Sequence, residues 1–558
     1  MIAPTELFPK NFVVRTNITY QFAMEFDTIL SMDSVLTTKE LHPNAPFCII
    51  KDLHCLLENK ECQIESLTHQ NQLLQEKINY LLYHRFSQKS ERIDDRQALL
   101  FGDNNSDLDE VEPVAETKIS SHTRKTGGRT LPPRDLPRVR VEHDLPEAEK
   151  QCDCGYCLDL IGEETSFQYD VIPPKFQVIE NVKLKYACQN SRCGQAPKTA
   201  PQDPPPPLPR TQASAGTLAW IGTSKFVDGL PLNRIANIAE KRFGVPFTST
   251  TLSAWMIKGA ERIISPLVAA MEIALEGHDY IHIDETTLQV LDEAGRTAKQ
   301  KSYIWCRVTG DAVAPIILMH YSPSRAGAVA NELLNGFSGY LQADGYAGYN
   351  STALRQYVIL LGCWAHVRRK FIAASKAGSL GAATIANEGL ALIRNLYHID
   401  NKYKEKPPDE RMLYRQEVVK PHLNKIRTWI DENQNRALSY GGLLATAFTY
   451  IHNQWPKLIV FVEDGRLALD NNKAERHIRP IAMGRKAWLF AQSEAGAKAT
   501  ALWYSLVETA KANGLEPYLY LRKIFEEMPV YLRDEKPVDE LLPWNLDPAE
   551  RKRLAGRV

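Results

Sequence analysis

Three separated acids, Asp284, Asp344 and Glu475, are the residues best placed to do chemistry in this sequence. Asp284 ends the apolar run Tyr280-Ile281-His282-Ile283, and Asp344 ends Tyr340-Leu341-Gln342-Ala343 just before Gly345. Such runs read as strands, so both acids are expected at strand ends, where a sheet opens to solvent. Glu475 lies in the polar run Leu469-Asp470-Asn471-Asn472-Lys473-Ala474-Glu475-Arg476-His477-Ile478-Arg479-Pro480. If helical, that run sets Asn472, Glu475, Arg476 and Arg479 on one face, and Pro480 is expected to stop it. Carboxylates from two strands and a helix suit a pair of divalent ions, one activating the attacking oxygen and one stabilising the leaving oxygen of a phosphodiester. Mg²⁺, or Mn²⁺ in its place, fits such hard oxygen ligands. Taken singly, either aspartate is equally a strand-end cap or turn former. Asp470 competes with Glu475 as third acid and is also a natural helix N-cap.

The nearest basic residues are Arg476, Arg479, Arg485 and Lys486 after Glu475, and Arg368, Arg369 and Lys370 after His366. They are placed to grip phosphates, arginine best where a bidentate contact is possible. For the second group a solvated helix start is the plainer alternative. His282 reads as a satisfied core histidine, and Trp364, Trp488 and Phe490 as core packing before base stacking. A second kind of metal chemistry shows in Cys152, Cys154, Cys157, Cys188 and Cys193, half of the 10 cysteines. Two cysteine knuckles on short strands (here 167–172 and 176–186) suit a tetrahedral structural Zn²⁺. Cys154 with Cys157 gives the usual two-residue gap, so Cys154, Cys157, Cys188 and Cys193 are the expected ligands, with Cys152 as rival to Cys154.

The elements that must position these residues need a long chain. At 558 residues, about three or four domains are expected. The composition, 44% hydrophobic and 24% charged, is ordinary for a globular protein. Lys+Arg and Asp+Glu are both 67, so no global charge points to nucleic acid, although 118–140 is locally basic. No apolar run reaches the roughly 18 residues of a membrane span, and no export signal is evident. A cytoplasmic protein without a disulfide framework is therefore expected.

Residues 1–45 lack periodicity. Within 46–100, Ile50, Leu53, Leu57, Ile64, Leu67, Leu74, Ile78 and Leu81 fall on alternating steps of three and four. That is the heptad stripe of a coiled coil, with Asn71 at an a-type position where a buried amide fixes register and dimeric state. A polar, then basic linker (101–145), a zinc-ribbon-like domain (146–200) and a stiff proline-rich spacer (201–212) follow. In 213–275, helical patterns at 232–243 and 249–257 meet through Gly244 and Pro246, as in a helix-turn-helix or a plain helical hairpin. The core opens at 276–372 with strands at 280–284, 302–308, 315–321, 340–346 and 358–363. Three antiparallel strands followed by a crossover to the strand bearing Asp344 is the ribonuclease H-like order.

Together these residues resemble the DDE triad and surroundings of bacterial transposases of the insertion-sequence-66 family. The resemblance runs from about residue 50 to 530. It rests on Phe86-Ser87-Gln88-Lys89-Ser90-Glu91-Arg92, Lys185-Tyr186-Ala187-Cys188, His282-Ile283-Asp284-Glu285-Thr286 and Ala343-Asp344-Gly345-Tyr346. Cys363-Trp364-Ala365-His366-Val367-Arg368-Arg369-Lys370-Phe371, the Asp470 to Lys486 run and Thr509-Ala510-Lys511-Ala512-Asn513-Gly514 complete it. Ser87 departs from the glycine usual there. The resemblance implies a helical insertion (373–462), a second part of the core carrying Glu475 (463–515) and a helical tail (516–558). The whole is then a multidomain α+β chain, a ribonuclease H-like α/β core with helical insertion behind coiled coil, zinc ribbon and helix-turn-helix. It also implies DNA cleavage and strand transfer by Asp284, Asp344 and Glu475 as metal ligands. The implied partners are the inverted-repeat ends, target DNA, further copies of the chain in a synaptic dimer or larger complex, and small accessory proteins of the same element. A catalytically silent DNA-binding relative and a nuclease that cuts without joining are the alternatives.

Overall fold

The computed structural model describes residues 45–86, 175–186, 198–311, 313–353 and 357–556. The expected linker at 101–145, the five clustered cysteines and the strand at 167–172 lie outside them. Residues up to Ile78 form one unit and those from Asn79 another. The heptad stripe falls on helix α1 (Ala45–Phe86). Leu57, Ile64, Leu67, Leu74, Ile78 and Leu81 are each at least half exposed on it.

Of the strand expected at 176–186, only Lys185–Tyr186 (β1) forms, pairing with Lys198–Thr199 (β2). Alternation makes a strand only where a neighbour takes up its backbone groups. Before β1 the chain is instead pinned by Phe176, which packs on Trp220, Phe243 and Phe247. The proline run is likewise no free spacer, because Pro207 and Leu208 are buried and Leu208 joins the larger core.

Helices α2 (Ala215–Phe226), α3 (Leu232–Phe243) and α4 (Ser249–Gly259) come next. The Ser214 and Thr248 hydroxyls cap α2 and α4 by accepting the Thr217 and Thr251 N–H groups at 3.2 and 3.1 Å. Gly244, at φ 70°, ends α3. Its N–H reaches Glu240 O and that of Val245 reaches Ala239 O, a left-handed stop that favours glycine. The paired helices thus form where their periodicity places them. A π turn (Ala260–Ile264) carries α4 on into α5 (Ser265–Glu276).

The sheet contains β3 (Tyr280–Asp292), β4 (Lys301–Thr309), β5 (Ile317–Ser322), β6 (Gly339–Gln342) and β7 (Val358–Leu361) in the order β5-β4-β3-β6-β7. The first three are antiparallel, whereas β6 and β7 run parallel to β3, reached through α6 (Gly327–Leu333). β3 does not end at Asp284 as expected. Pairing with β4 from Ile281 to Gln289 carries it on, and β8 (Ala491–Ser493) later joins its far end.

Helices α7 (Trp364–Ala377), α8 (Leu380–Asn401), α9 (Pro408–Tyr414), α10 (Lys420–Tyr440) and α11 (Gly442–Leu458) build a core of their own around Phe371, Ile385, Leu396, Ile430 and Phe448. The chain then returns to the sheet as α12 (Asn472–Trp488), β8, α13 (Glu494–Ala512), α14 (Pro517–Arg533) and α15 (Pro548–Leu554). Pro480 does not stop α12 but lies inside it. Proline forfeits one backbone bond. The carbonyl it frees belongs to the exposed Arg476, where water can take it, while the buried Ile478 and Ile481 hold both halves down. α13 closes the edge of β5 with side chains. Ser505 and Thr509 accept the Met319 and Ile317 N–H groups at 2.7 and 3.0 Å, and Asn513 donates to Pro315 O at 2.8 Å.

Candidate active site

Register brings the two aspartates together. β3 and β6 are parallel with Tyr280 opposite Tyr340 and His282 opposite Gln342, so the same offset puts Asp284 and Asp344 at one level. Asp344 lies just past the end of β6, its Oδ1 accepting the Tyr346 N–H at 2.8 Å. Asp284 lies where β3 has passed β6 and has not yet met β8. There its Oδ1 accepts the Glu285 N–H at 2.9 Å. Burial, and then the negative charges of Glu285, Asp344 and Glu475, hold the Asp284 carboxyl well above the usual carboxylate range. Glu475 enters from the first turn of α12, its side chain 16% exposed.

One amide locks this helix start onto the strand. Asn471 is fully buried. Its Oδ1 meets His282 Nδ1 at 3.0 Å and its Nδ2 donates to Ile283 O at 2.8 Å. Its backbone N–H donates to Cys363 Sγ at 3.2 Å. Burial pushes the His282 imidazole down to about 3, so the neutral ring donates from Nδ1 to the amide oxygen. His282 is thus a satisfied core histidine, and Trp364 is core as well, donating to Leu458 O at 2.9 Å. Phe490, by contrast, is exposed and Trp488 half-buried.

Asp470 faces elsewhere. It accepts the Tyr397 hydroxyl at 3.0 Å and the Asn472 N–H at 3.2 Å, and burial raises its carboxyl to about 6. The residue at the N-cap position of α12 is Asn471, with Asp470 making the turn into it.

Sequence reasoning gave no role to a second layer behind the aspartates. Glu285 points away from solvent with its side chain 1% exposed. Arg325 Nε donates to its Oε1 at 2.5 Å, and the Tyr349 hydroxyl donates to its Oε2. Arg325 also stands 4.0 Å from Asp344 Oδ2 and over the Tyr346 ring, so it bridges β3 and the segment just past β6 that bear the acids. Arg325 sits in an aperiodic loop and gave no signal. Asn471 stood inside the informative run, but only its partners reveal its task.

The basic residues divide by their partners. Arg476, Arg479 and Lys486 are exposed on α12. Arg485 is half-buried and donates to Thr287 O and Oγ1. Arg369 Nη2 donates to Glu475 Oε1 at 2.5 Å. Lys370 lies over the Tyr450 ring at 4.6 Å. Arg368 lines a cavity of about 230 Å³ with Lys376 and Arg394.

The fold and site define a mixed α/β protein with an acidic centre built from the middle of one strand, the end of its parallel neighbour and one helix start. The chain belongs to the Transposase IS66 family, whose model matches residues 210–499. The IS66 C-terminal element matches 505–544, the model described as Transposase C of IS166 homeodomain 73–141, and the zinc-finger binding domain of transposase IS66 149–193. The last span holds all five clustered cysteines and supports Zn²⁺ there. The uncharacterized protein y4qI of Sinorhizobium fredii is 31% identical over 79% of this chain and 83% of its own length. A second uncharacterized protein of that organism, y4hP, is 28% identical over 77% of this chain and 78% of its own. Membership brings a transposase role and DNA as partner. No helix among the described residues is long and apolar enough to cross a membrane.

Proposed function

We propose that this chain cleaves DNA strands at the ends of an insertion sequence and transfers them to target DNA, using Asp284, Asp344 and Glu475 on a ribonuclease H-like core. The observation that carries the reading is the part-buried Asp284 carboxylate on β3 at the level of Asp344 beside β6, with burial and the charges of Glu285, Asp344 and Glu475 raising its pKa. Carboxylates that converge in this way ionise together only when cationic charge joins them. The donors are hard oxygens, so the three residues suit Mg²⁺ or Mn²⁺. Bound there, the ions would lower the pKa of the attacking hydroxyl group and stabilise charge on the leaving oxygen.

The chain's own part is positioning. Asn471 fixes where α12 meets β3, and Arg325 fixes Glu285 beside Asp344. Arg476, Arg479 and Lys486 on the helix of Glu475 are open to phosphate oxygens, and Arg368, Arg369, Lys370 and Arg485 extend that basic surroundings. Water opens the phosphodiester at the element end, and the freed 3′-hydroxyl attacks target DNA in line. Neither displacement needs a covalent enzyme intermediate, since positioning and charge neutralisation do the work. Cys154, Cys157, Cys188 and Cys193 would hold the zinc. Pairing of two copies through α1 would bring two element ends together, with accessory proteins of the same element as further partners.

Asp284→Asn, Asp344→Asn and Glu475→Gln are each expected to lower Mg²⁺-dependent cleavage of inverted-repeat DNA by about 10³-fold or more, the several kcal/mol such ligands control. Retention on the same DNA in a gel-shift assay should persist. Wild-type-like cleavage by any variant removes that residue from the triad. Cut products without joined ones would favour a nuclease, and binding without cleavage by the wild type a silent relative.

A further inference from the structure

Beside the acidic centre lies a donor cluster of a different kind. Cys363 occupies the N-cap position of α7 just past the end of β7, His366 stands in the first turn of α7, and Glu475 in the first turn of α12. One ligand atom from each lies within 4.8 Å of the other two. The donors are a thiol sulfur, an imidazole nitrogen and a carboxylate oxygen. The segments that carry them are stapled to one another: the Asn471 N–H donates to Cys363 Sγ at 3.2 Å and the Trp364 N–H to Leu469 O at 3.0 Å.

We propose that Cys363, His366 and Glu475 form a binding site for a borderline-soft divalent cation of the Zn²⁺ type, distinct in metal preference from the carboxylate pair Asp284 and Asp344. Sulfur and nitrogen donors select Zn²⁺ or Co²⁺ over Mg²⁺, which prefers oxygen. Three protein ligands leave a fourth tetrahedral position open, the arrangement of a reactive zinc rather than a structural one.

Arg369 is the competitor. Its Nη2 donates to Glu475 Oε1 at 2.5 Å and stands 3.2 and 3.3 Å from the two ring nitrogens of His366. The guanidinium therefore supplies to Glu475 the positive charge that a cation would supply, and the two exclude each other. Its side chain is 44% exposed, so it can swing to solvent or to a phosphate. On entry of the ion the Cys363 S–H bond breaks, a sulfur–metal bond forms, the proton leaves to solvent and no electron changes hands. One consequence rests on the proposed triad: Zn²⁺ held here turns Glu475 toward His366 and opposes cleavage supported by Mg²⁺.

The test is zinc content. Full-length protein is dialysed against buffered Zn²⁺ and the bound metal counted by elemental mass spectrometry, with the clustered cysteines contributing equally to every sample. Cys363→Ser and His366→Gln are each expected to hold about one Zn²⁺ per chain fewer than the wild type (one site, three protein ligands). Arg369→Gln, freed of its competing charged hydrogen bond, is expected to bind that ion about tenfold more tightly. Equal zinc in wild type and Cys363→Ser overturns the site. So does an unchanged zinc affinity in Arg369→Gln, which decides the question even if the Cys363 variant fails to fold. Asp284→Asn keeps the full zinc complement, so the fate of this site and that of the triad are read separately.

Discussion

Asn471 shows how a single side chain joins the strand that carries one acid to the helix that carries another. Its amide spans His282 and Ile283 on β3, and its backbone reaches Cys363 at the start of α7. Asn471→Ala leaves His282 Nδ1 and the Ile283 carbonyl buried without this partner, at a cost of about 1–3 kcal/mol for each group. The expected result is a urea midpoint shifted down together with slower cleavage, because Glu475 loses its fixed approach to Asp284. A variant as stable as the wild type would show the amide to be incidental. At this scale the sequence was informative where chemistry is written in residue type. Asp284 and Asp344 sit after apolar runs and Glu475 follows an amide-rich run. Arg325 and Tyr349 were not legible, because a partnership between Glu285 and loop residues exists only once the sheet brings them side by side. Pro480 misled for a related reason: a proline stops a helix only when nothing else holds its two halves.

At the scale of elements, periodicity identified the paired helices α3 and α4, whose turn is written in Gly244. It also found the strands that pair with immediate neighbours. It failed at 176–186, where among the described residues only Lys185–Tyr186 meets a partner strand, and at β3, whose far half depends on β4 and on the distant β8. The helical core of α7 to α11 depends on an ion network that no local pattern announces. Arg415, fully buried, donates to Asp400 at 2.7 Å and to the carbonyls of Phe461 and Asp464, and Arg411 joins at 2.9 Å. Burial pushes the Asp400 carboxyl up, but hydrogen bonds and charge from Arg415 and Arg411 outweigh it and leave it below the usual range. Since the folded state depresses this pKa, its contribution is complete above the unfolded value of about 3.9. It is lost as the pH falls through the folded value. Asp400→Asn strands the Arg415 charge, and about 3–5 kcal/mol of destabilisation is expected at pH 7. Urea titrations should find the gap between variant and wild type narrowing below about pH 4. A gap that stays constant into acid would assign the stabilisation to packing instead.

For the molecule as a whole, one chain joins segments with separate physical supports. The segment with the clustered cysteines matches a zinc-finger model and needs no large core if a metal closes it. Cys188→Ser is expected to release about one Zn²⁺ per chain, as for a four-thiolate site, measured by elemental analysis of the purified protein. Unchanged zinc would remove Cys188 from the ligand set.

Among the described residues nothing buries the stripe of α1. Leu57, Ile64, Leu67, Leu74, Ile78 and Leu81 are all at least half exposed along its length, and an apolar row on that scale is what monomers avoid. A long helix draws its stability in water chiefly from packing of its apolar face, and the heptad spacing matches a second copy of itself. Asn71 is exposed on the single chain, yet it falls in the seam, where pairing would bury its amide opposite the same residue of the other copy. Such a pair tolerates only one register and two strands, at some cost in stability. Asn71→Leu should therefore raise the thermal stability of the assembly while relaxing its stoichiometry toward a mixture with larger species. Sedimentation equilibrium on the full chain reads this directly. A wild type that sediments as a monomer, and a variant that does the same, would leave the apolar row needing another partner.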